Sequence, residues 1–183
     1  MQLNPTFISN VHDIYGESGG SWLKDLPMHL KQLSTLWNFR FLGPMHTLSY
    51  NFVGIVKMNS TGKTAIIKMA PKGGSVINEM RWLNCIDKGV PKIYAFDESL
   101  NAFLMEHLEP GNSLKGLVEA GDDDGATRII CQTIRTLQSQ QHPEFKFQHL
   151  SEFSKDFSLL KGRFDAKLLS QTESLFNDLT IDR

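Results

Sequence analysis

A lysine sits inside the apolar run Thr64-Ala65-Ile66-Ile67-Lys68-Met69, directly after the turn residues Asn59-Ser60-Thr61-Gly62-Lys63. An ammonium in a half-buried strand is costly unless a partner offsets its desolvation. Eleven positions on, Glu79 stands in Ser75-Val76-Ile77-Asn78-Glu79-Met80-Arg81-Trp82-Leu83, a stretch that reads as a helix capped by Ser75. Two arrangements satisfy these residues. Either the helix folds back so that Glu79 meets Lys68, or Lys68 snorkels from an edge strand and Glu79 lies on a solvated face. The pair taken alone favours the second; the elements on both sides favour the first.

Those elements follow a definite order. Asn4 and Pro5 open a helical pattern that places Phe7, Ile8, Val11, Ile14 and Tyr15 on one face, and Gly16, Gly19 and Gly20 are expected to break it. A second helical pattern follows, with Leu26, Leu30, Leu33 and Trp37 spaced for packing. Three strand-like runs come next: Phe39-Arg40-Phe41-Leu42, Asn51 to Met58, and Thr64 to Met69. The five-residue link Asn59–Lys63 predicts a hairpin between the last two. After the glutamate helix, with inner face Val76, Met80, Leu83 and Ile86, Gly89-Val90-Pro91 ends the helical stretch. Lys92–Phe96 and Ala102–Glu106 give two more strands around the turn Asp97–Asn101. Beyond Pro110 only helical patterns remain, with Asn112 or Ser113 as a cap, then Ile129, Ile130, Ile134 and Leu137 behind Asp122-Asp123-Asp124, then the stretches 151–162 and 164–179. The acidic run suits a helix N-terminus; a metal site is the sharper alternative, without ligand spacing to support it.

Composition narrows the class. Among 183 residues, 40% are hydrophobic and the net charge is −1, so a phosphate-tracking nucleic-acid surface is not expected. Cys85 and Cys131 form no metal-type pair, and their apolar neighbours predict buried reduced thiols. No signal-peptide pattern and no run of membrane length is evident, so a cytoplasmic protein without a membrane partner is expected. His107 and the five other histidines lack ligand spacing and are expected to be solvated.

In protein kinases a strand lysine holds nucleotide phosphates and pairs with a glutamate on the following helix. The order of three strands, a helix and two strands is that of a kinase nucleotide-binding lobe. Three further features fit. Gly43-Pro44-Met45-His46-Thr47-Leu48-Ser49-Tyr50 occupies the place of the phosphate-covering loop, where Ser49 is equally a serine offering its hydroxyl and N–H to a phosphate or a turn serine. Gly43 and Gly54 alone carry little weight. Leu104-Met105-Glu106-His107-Leu108-Glu109-Pro110-Gly111 occupies the place of the hinge, where the C=O of Glu106 and the N–H of Leu108 would bond adenine and Met105 would border its pocket.

On these residues the chain resembles the aminoglycoside/hydroxyurea antibiotic resistance kinases, typified by streptomycin phosphotransferases. Tyr15-Gly16-Glu17, Trp22-Leu23, Leu26-Pro27 and Trp37 look like that family's opening helices, Ala65–Met69 its lysine strand, Asn78–Leu83 its glutamate helix, and Phe103–Leu114 its hinge. The resemblance implies an α+β fold. It comprises a protein-kinase-like N-lobe, an antiparallel five-stranded sheet plus one helix, preceded by two helices and followed by the first helices of a helical C-lobe. It divides the chain into a helical segment (1–38), a nucleotide-binding N-lobe (39–109) and an incomplete helical C-lobe (110–183). It implies ATP and Mg²⁺, and transfer of phosphate to an alcohol of a small molecule, an aminoglycoside such as streptomycin.

One departure is serious. The family's catalytic loop, His-Gly-Asp-x-x-x-x-Asn, is absent, as is its later metal-binding Asp, and His142-Pro143-Glu144 is no substitute. The resemblance places that loop beyond residue 183, so the chain is expected to hold no catalytic residue and no metal ligand and to be inactive alone. The alternative is a non-catalytic module that keeps the lobe for nucleotide sensing or protein docking. Apolar residues on the helices of 150–179 would then form a partner or homodimer face.

Overall fold

The computed structural model describes residues 1–74, 76–140 and 150–180. The expected cap at Ser75, the His142-Pro143-Glu144 stretch and the C-terminal Arg183 lie outside them. The chain divides into two compact units, Met1–Pro143 and Glu144–Arg183.

The first unit is built on a five-stranded antiparallel sheet of order β1-β2-β3-β5-β4. Its strands are β1 (Phe39–Pro44), β2 (Phe52–Met58), β3 (Thr64–Met69), β4 (Ile93–Asp97) and β5 (Ala102–Glu106). The β3 run, with its lysine, is the central strand. Side chains alternate along a strand, so β3 divides its residues between two faces. Ala65, Ile67 and Met69 join Phe52, Val56, Ala102 and Leu104 in one core, while Ile66 and Lys68 point to the other side.

Helix α1 (Pro5–Leu36) covers the first face. Asn4 caps it, its side chain accepting from the Thr6 N–H at 2.8 Å, and Pro5 takes the first turn where its missing N–H costs nothing. Phe7, Val11, Gly19, Trp22, Leu26, Leu30 and Leu33 are the buried residues of its inner stripe. Burial of each large apolar side chain contributes roughly 1.5–3 kcal/mol. The expected break is confined to Gly16, which turns at φ 55°, ψ −135°. Gly19 and Gly20 are helical, and the reason for Gly19 is contact. A Cβ there would lie 2.6 Å from the Val11 carbonyl oxygen, so glycine lets the two halves meet across the kink.

Helix α2 (Val76–Asn84) lies against the opposite face, with Val76 and Met80 buried beside Ala70 and Phe103. It stops well before Gly89, and a turn carries the buried Ile86 inward. Two further helices complete this unit, α3 (Lys115–Glu119) and α4 (Asp123–Gln138). Asp122 caps α4, accepting from the Gly125 N–H at 2.9 Å, and Asp123 and Asp124 fill its first turn as the macrodipole favours.

Both cysteines are exposed, against expectation. Cys85 falls in the turn that leaves α2, and Cys131 belongs to a helix whose Ile129, Ile130 and Ile134 are themselves exposed in this chain. An amphipathic pattern reports a face that could pack, and packing needs a partner surface.

The second unit holds a 3₁₀ segment (Leu150–Asp156), α5 (Phe157–Leu160) and α6 (Ala166–Thr180), joined by an edge contact between the Phe157 and Phe176 rings at 5.4 Å. Among the described residues no helix is long and apolar enough to cross a membrane.

Gly54 is explained by this packing rather than by a phosphate. A Cβ on it would lie 2.6 Å from the Phe41 ring and 3.3 Å from Ile67. Gly54→Val should destabilise the fold by about 1–3 kcal/mol through overpacking, measured by urea unfolding. Gly43→Ala, where a Cβ meets nothing within 4 Å, should unfold at nearly the wild-type midpoint.

Candidate nucleotide-binding site

Lys68 and Glu79 meet. The Lys68 ammonium donates to both carboxylate oxygens of Glu79, at 2.6 Å to Oε2 and 2.8 Å to Oε1. Helix geometry explains the contact. Val76 and Met80, four residues apart, set the buried stripe of α2, and Glu79 is one step, about 100°, around from Met80. It therefore emerges at the edge of the packed face, above the strand that carries Lys68. The side chains are 19% and 35% exposed, so the pair is partly dry but reachable from solvent.

Only six residues separate Met69 from Val76, and the backbone between them is held by Asn101, the one buried polar residue among the described ones. Its Nδ2 donates to the carbonyls of Pro71 (2.7 Å) and Ala70 (3.2 Å), with a longer contact to that of Gly74 (3.4 Å). Asn101 stands at φ 48°, the left-handed region that Asn tolerates better than most residues. Nothing in the sequence marked it beyond its place in a predicted turn. The preceding turn is closed by Asp97, whose Oδ1 accepts from Ser99 Oγ at 2.6 Å and from the Leu100 N–H at 3.0 Å. The Ser99 hydroxyl is the main cause holding the Asp97 carboxyl below its ordinary 3.8, aided by backbone N–H groups and opposed by burial.

Ser49 lies exposed in the β1–β2 connection. Its carbonyl accepts from the Asn10 side chain of α1 at 2.9 Å, Leu48 beside it is buried, and the Met45 N–H bonds the Val53 carbonyl at 2.8 Å. The loop is thus fastened by α1 and the core rather than by glycines. Pairing of Phe52 with Met69 puts it at the end of the sheet where β3 finishes, the Lys68 end.

The residues expected to form a hinge lie at the other end. Met105 pairs with Ile66, two positions from Lys68 on the same strand face. The Ala70 N–H bonds Asn101 O, and the alternation that follows turns the Glu106 backbone away from β3. The Glu106 N–H accordingly bonds Lys92 O at 2.8 Å, and its carboxylate accepts from the Lys92 N–H at 3.2 Å. Leu108 is exposed. His107 is not solvated as expected: its Nδ1 lies 2.9 Å from Thr64 Oγ1, tying the hinge to the start of β3. Among the described residues no group of three or more His, Cys, Asp or Glu side chains could hold a metal ion.

An open antiparallel sheet with a single helix on the lysine face, and a lysine–glutamate pair joining the two, is the arrangement of a protein-kinase-like N-lobe. The family model for "Aminoglycoside/hydroxyurea antibiotic resistance kinase" matches residues 43–163, and the chain belongs to that family. The matched span includes the loop, Lys68, Glu79 and the hinge and begins after α1. A curated relative, the hydroxyurea phosphotransferase of Kitasatospora aureofaciens, is 25% identical over 130 residues, covering 70% of this chain. The chain spans 38% of the length of that relative. No solved structure matches the chain.

Asn101→Ala should cost about 1–3 kcal/mol, since the strand-to-helix carbonyls lose a buried donor; chemical denaturation measures it. Asp97→Ala should show a pH signature. A carboxyl lowered in the folded state adds stability above its unfolded value and loses it as pH falls through the folded one. The melting-temperature gap between wild type and Asp97→Ala should therefore be widest near neutrality and close as pH drops below about 3.8.

Proposed function

We propose that this chain supplies the nucleotide-binding part of an ATP-dependent phosphotransferase, with Lys68 as the residue that holds the α- and β-phosphates. The bidentate Lys68–Glu79 contact carries this reading. A lysine free in solvent would have to give up rotamer entropy on meeting a phosphate; one already clamped by a carboxylate has lost that freedom during folding. Glu79 thus orients Lys68, and the residual exposure of both leaves the ammonium accessible to an anion.

Distances along the strand support the rest. From Ala65, which pairs with Glu106, to Lys68 is three residue steps, about 10 Å at the rise of an antiparallel strand. That is the scale of a ribose linking a base to its first phosphates. The Glu106 carbonyl and Leu108 N–H would read adenine, with Met105 against the base and the Ser49 loop over the phosphates. Mg²⁺, when bound with the nucleotide, would supply neutralisation of phosphate charge. The described residues offer no donor set for it, and the chain by itself is inactive in this reading.

The acceptor is an alcohol on a small polar molecule. The family's description supports an aminoglycoside such as streptomycin; the relative's name offers hydroxyurea, whose N-hydroxyl would take the alcohol's place as acceptor. The second reading, a nucleotide-sensing or docking module, draws on the exposed Leu168, Leu175 and Leu179 of α6, which a second copy of the chain would cover. A concentration-dependent shift in sedimentation would support that dimer.

Mg-ATP at ~100 times its dissociation constant should stabilise the chain by about 2.7 kcal/mol, seen as a rise of a few degrees in melting temperature. Lys68→Ala and Glu79→Ala should abolish the rise while changing unliganded stability by only about 1 kcal/mol or less, because a pair this accessible is partly screened. A folded wild-type chain that shows no shift sinks the nucleotide reading. Phosphate transfer from labelled ATP to streptomycin or hydroxyurea by the 183-residue chain would overturn its proposed inactivity.

A further inference from the structure

Gln140 follows the last turn of α4, and its side chain reaches the loop that leaves α2. Its Oε1 accepts from the backbone N–H groups of Asp87 and Lys88, each at 2.9 Å. Its Nε2 donates to the Lys88 carbonyl at 2.8 Å and to the Thr136 carbonyl of its own helix at 3.1 Å. One amide thus uses both ends on a loop 52 and 53 positions away while satisfying a carbonyl near the end of α4. The surfaces are also in contact there: a Cβ on Gly89 would meet Thr136 Cγ2 at 3.4 Å and Leu137 Cδ2 at 3.7 Å.

Helix α2 has nine residues, too few to hold a helical shape without tertiary support. The backbone before it is clamped by Asn101, and the helix itself by Val76 at its start, Met80 and the pair with Lys68. The loop after it is held by Ile86 in the core and by Gln140. We propose that Gln140 is a positioning residue for the nucleotide site: it ties the C-terminal end of α2 to α4, so that the placement of α4 governs how well Glu79 holds Lys68. This rests on Lys68 being the phosphate-holding residue. Linkage makes the effect reciprocal, since nucleotide that favours the Lys68–Glu79 geometry must favour the docked α4 by the same factor.

The test uses the whole 183-residue chain. Hydrogen exchange by mass spectrometry and Mg-ATP titration calorimetry are run on wild type, Gln140→Ala and Gln140→Glu. Gln140→Ala should speed exchange across residues 76–88 about tenfold relative to β2, the scale of one lost net hydrogen bond, and weaken Mg-ATP several-fold. Gln140→Glu keeps the acceptor for both loop N–H groups and should restore much of each effect. Equal acceleration in β2 and residues 76–88 would mean general destabilisation and overturn the proposal, as would unchanged exchange in residues 76–88. Unchanged Mg-ATP affinity with loosened residues 76–88 would equally overturn the link to the site. Should wild type bind no Mg-ATP, the nucleotide reading fails, whereas the exchange arm still decides whether Gln140 holds α2.

Discussion

The first unit depends on how a cation is kept inside a sheet. Lys68 lies in the central strand among Ile66, Ile67 and Met69, where an ammonium gives up part of its hydration and gains from a carboxylate partner. Glu79 answers that charge from the other side of a tight connection. The contact constrains the neighbourhood in turn: β3 must end near Met69, the chain must reverse within a few residues, and α2 must start with its buried stripe one step from Glu79. Asn101, Ala70 and Phe103 serve those requirements, either by binding the reversal or by seating the helix.

The opposite face of the sheet has another task. The two halves of α1 cover it with an entirely apolar stripe, so that face needs no charge and shows none in its core. Asn10 extends from the same helix to the Ser49 carbonyl. A loop with few glycines is thereby held by a side chain from outside the sheet. Covering one face with α1 leaves the lysine face, with α2 on part of it, as the surface where nucleotide contacts are proposed.

Membership in the antibiotic resistance kinase family agrees with this geometry and extends past it to chemistry. The relation between the two is asymmetric. Geometry supports the proposal that Lys68 holds a phosphate; the family description and the relative's name are the sources of the proposed acceptors.

Much of this was legible in the order of residues. Alternating apolar runs placed all five strands to within a residue or two, because strand and helix periodicities are local properties of the chain, and the order of those elements around Lys68 and Glu79 favoured their contact. The features that escaped are those set by distant neighbours. Cys85 and Cys131 lie in patterns that promise burial and are exposed, since burial belongs to a pair of surfaces. Gly19 and Gly54 read as a breaker and a weak loop signal, yet each is fixed by an atom from elsewhere, the Val11 carbonyl and the Phe41 ring. Asn101, His107 and Gln140 carry no local signature of their bonds to residues 70–74, Thr64 and residues 87–88. The sequence alone determined most of the elements, their order and the two charges available to pair. Tertiary structure decided which polar side chains hold those elements at the right distance, because a hydrogen bond between residues dozens of positions apart exists only once packing has brought them together.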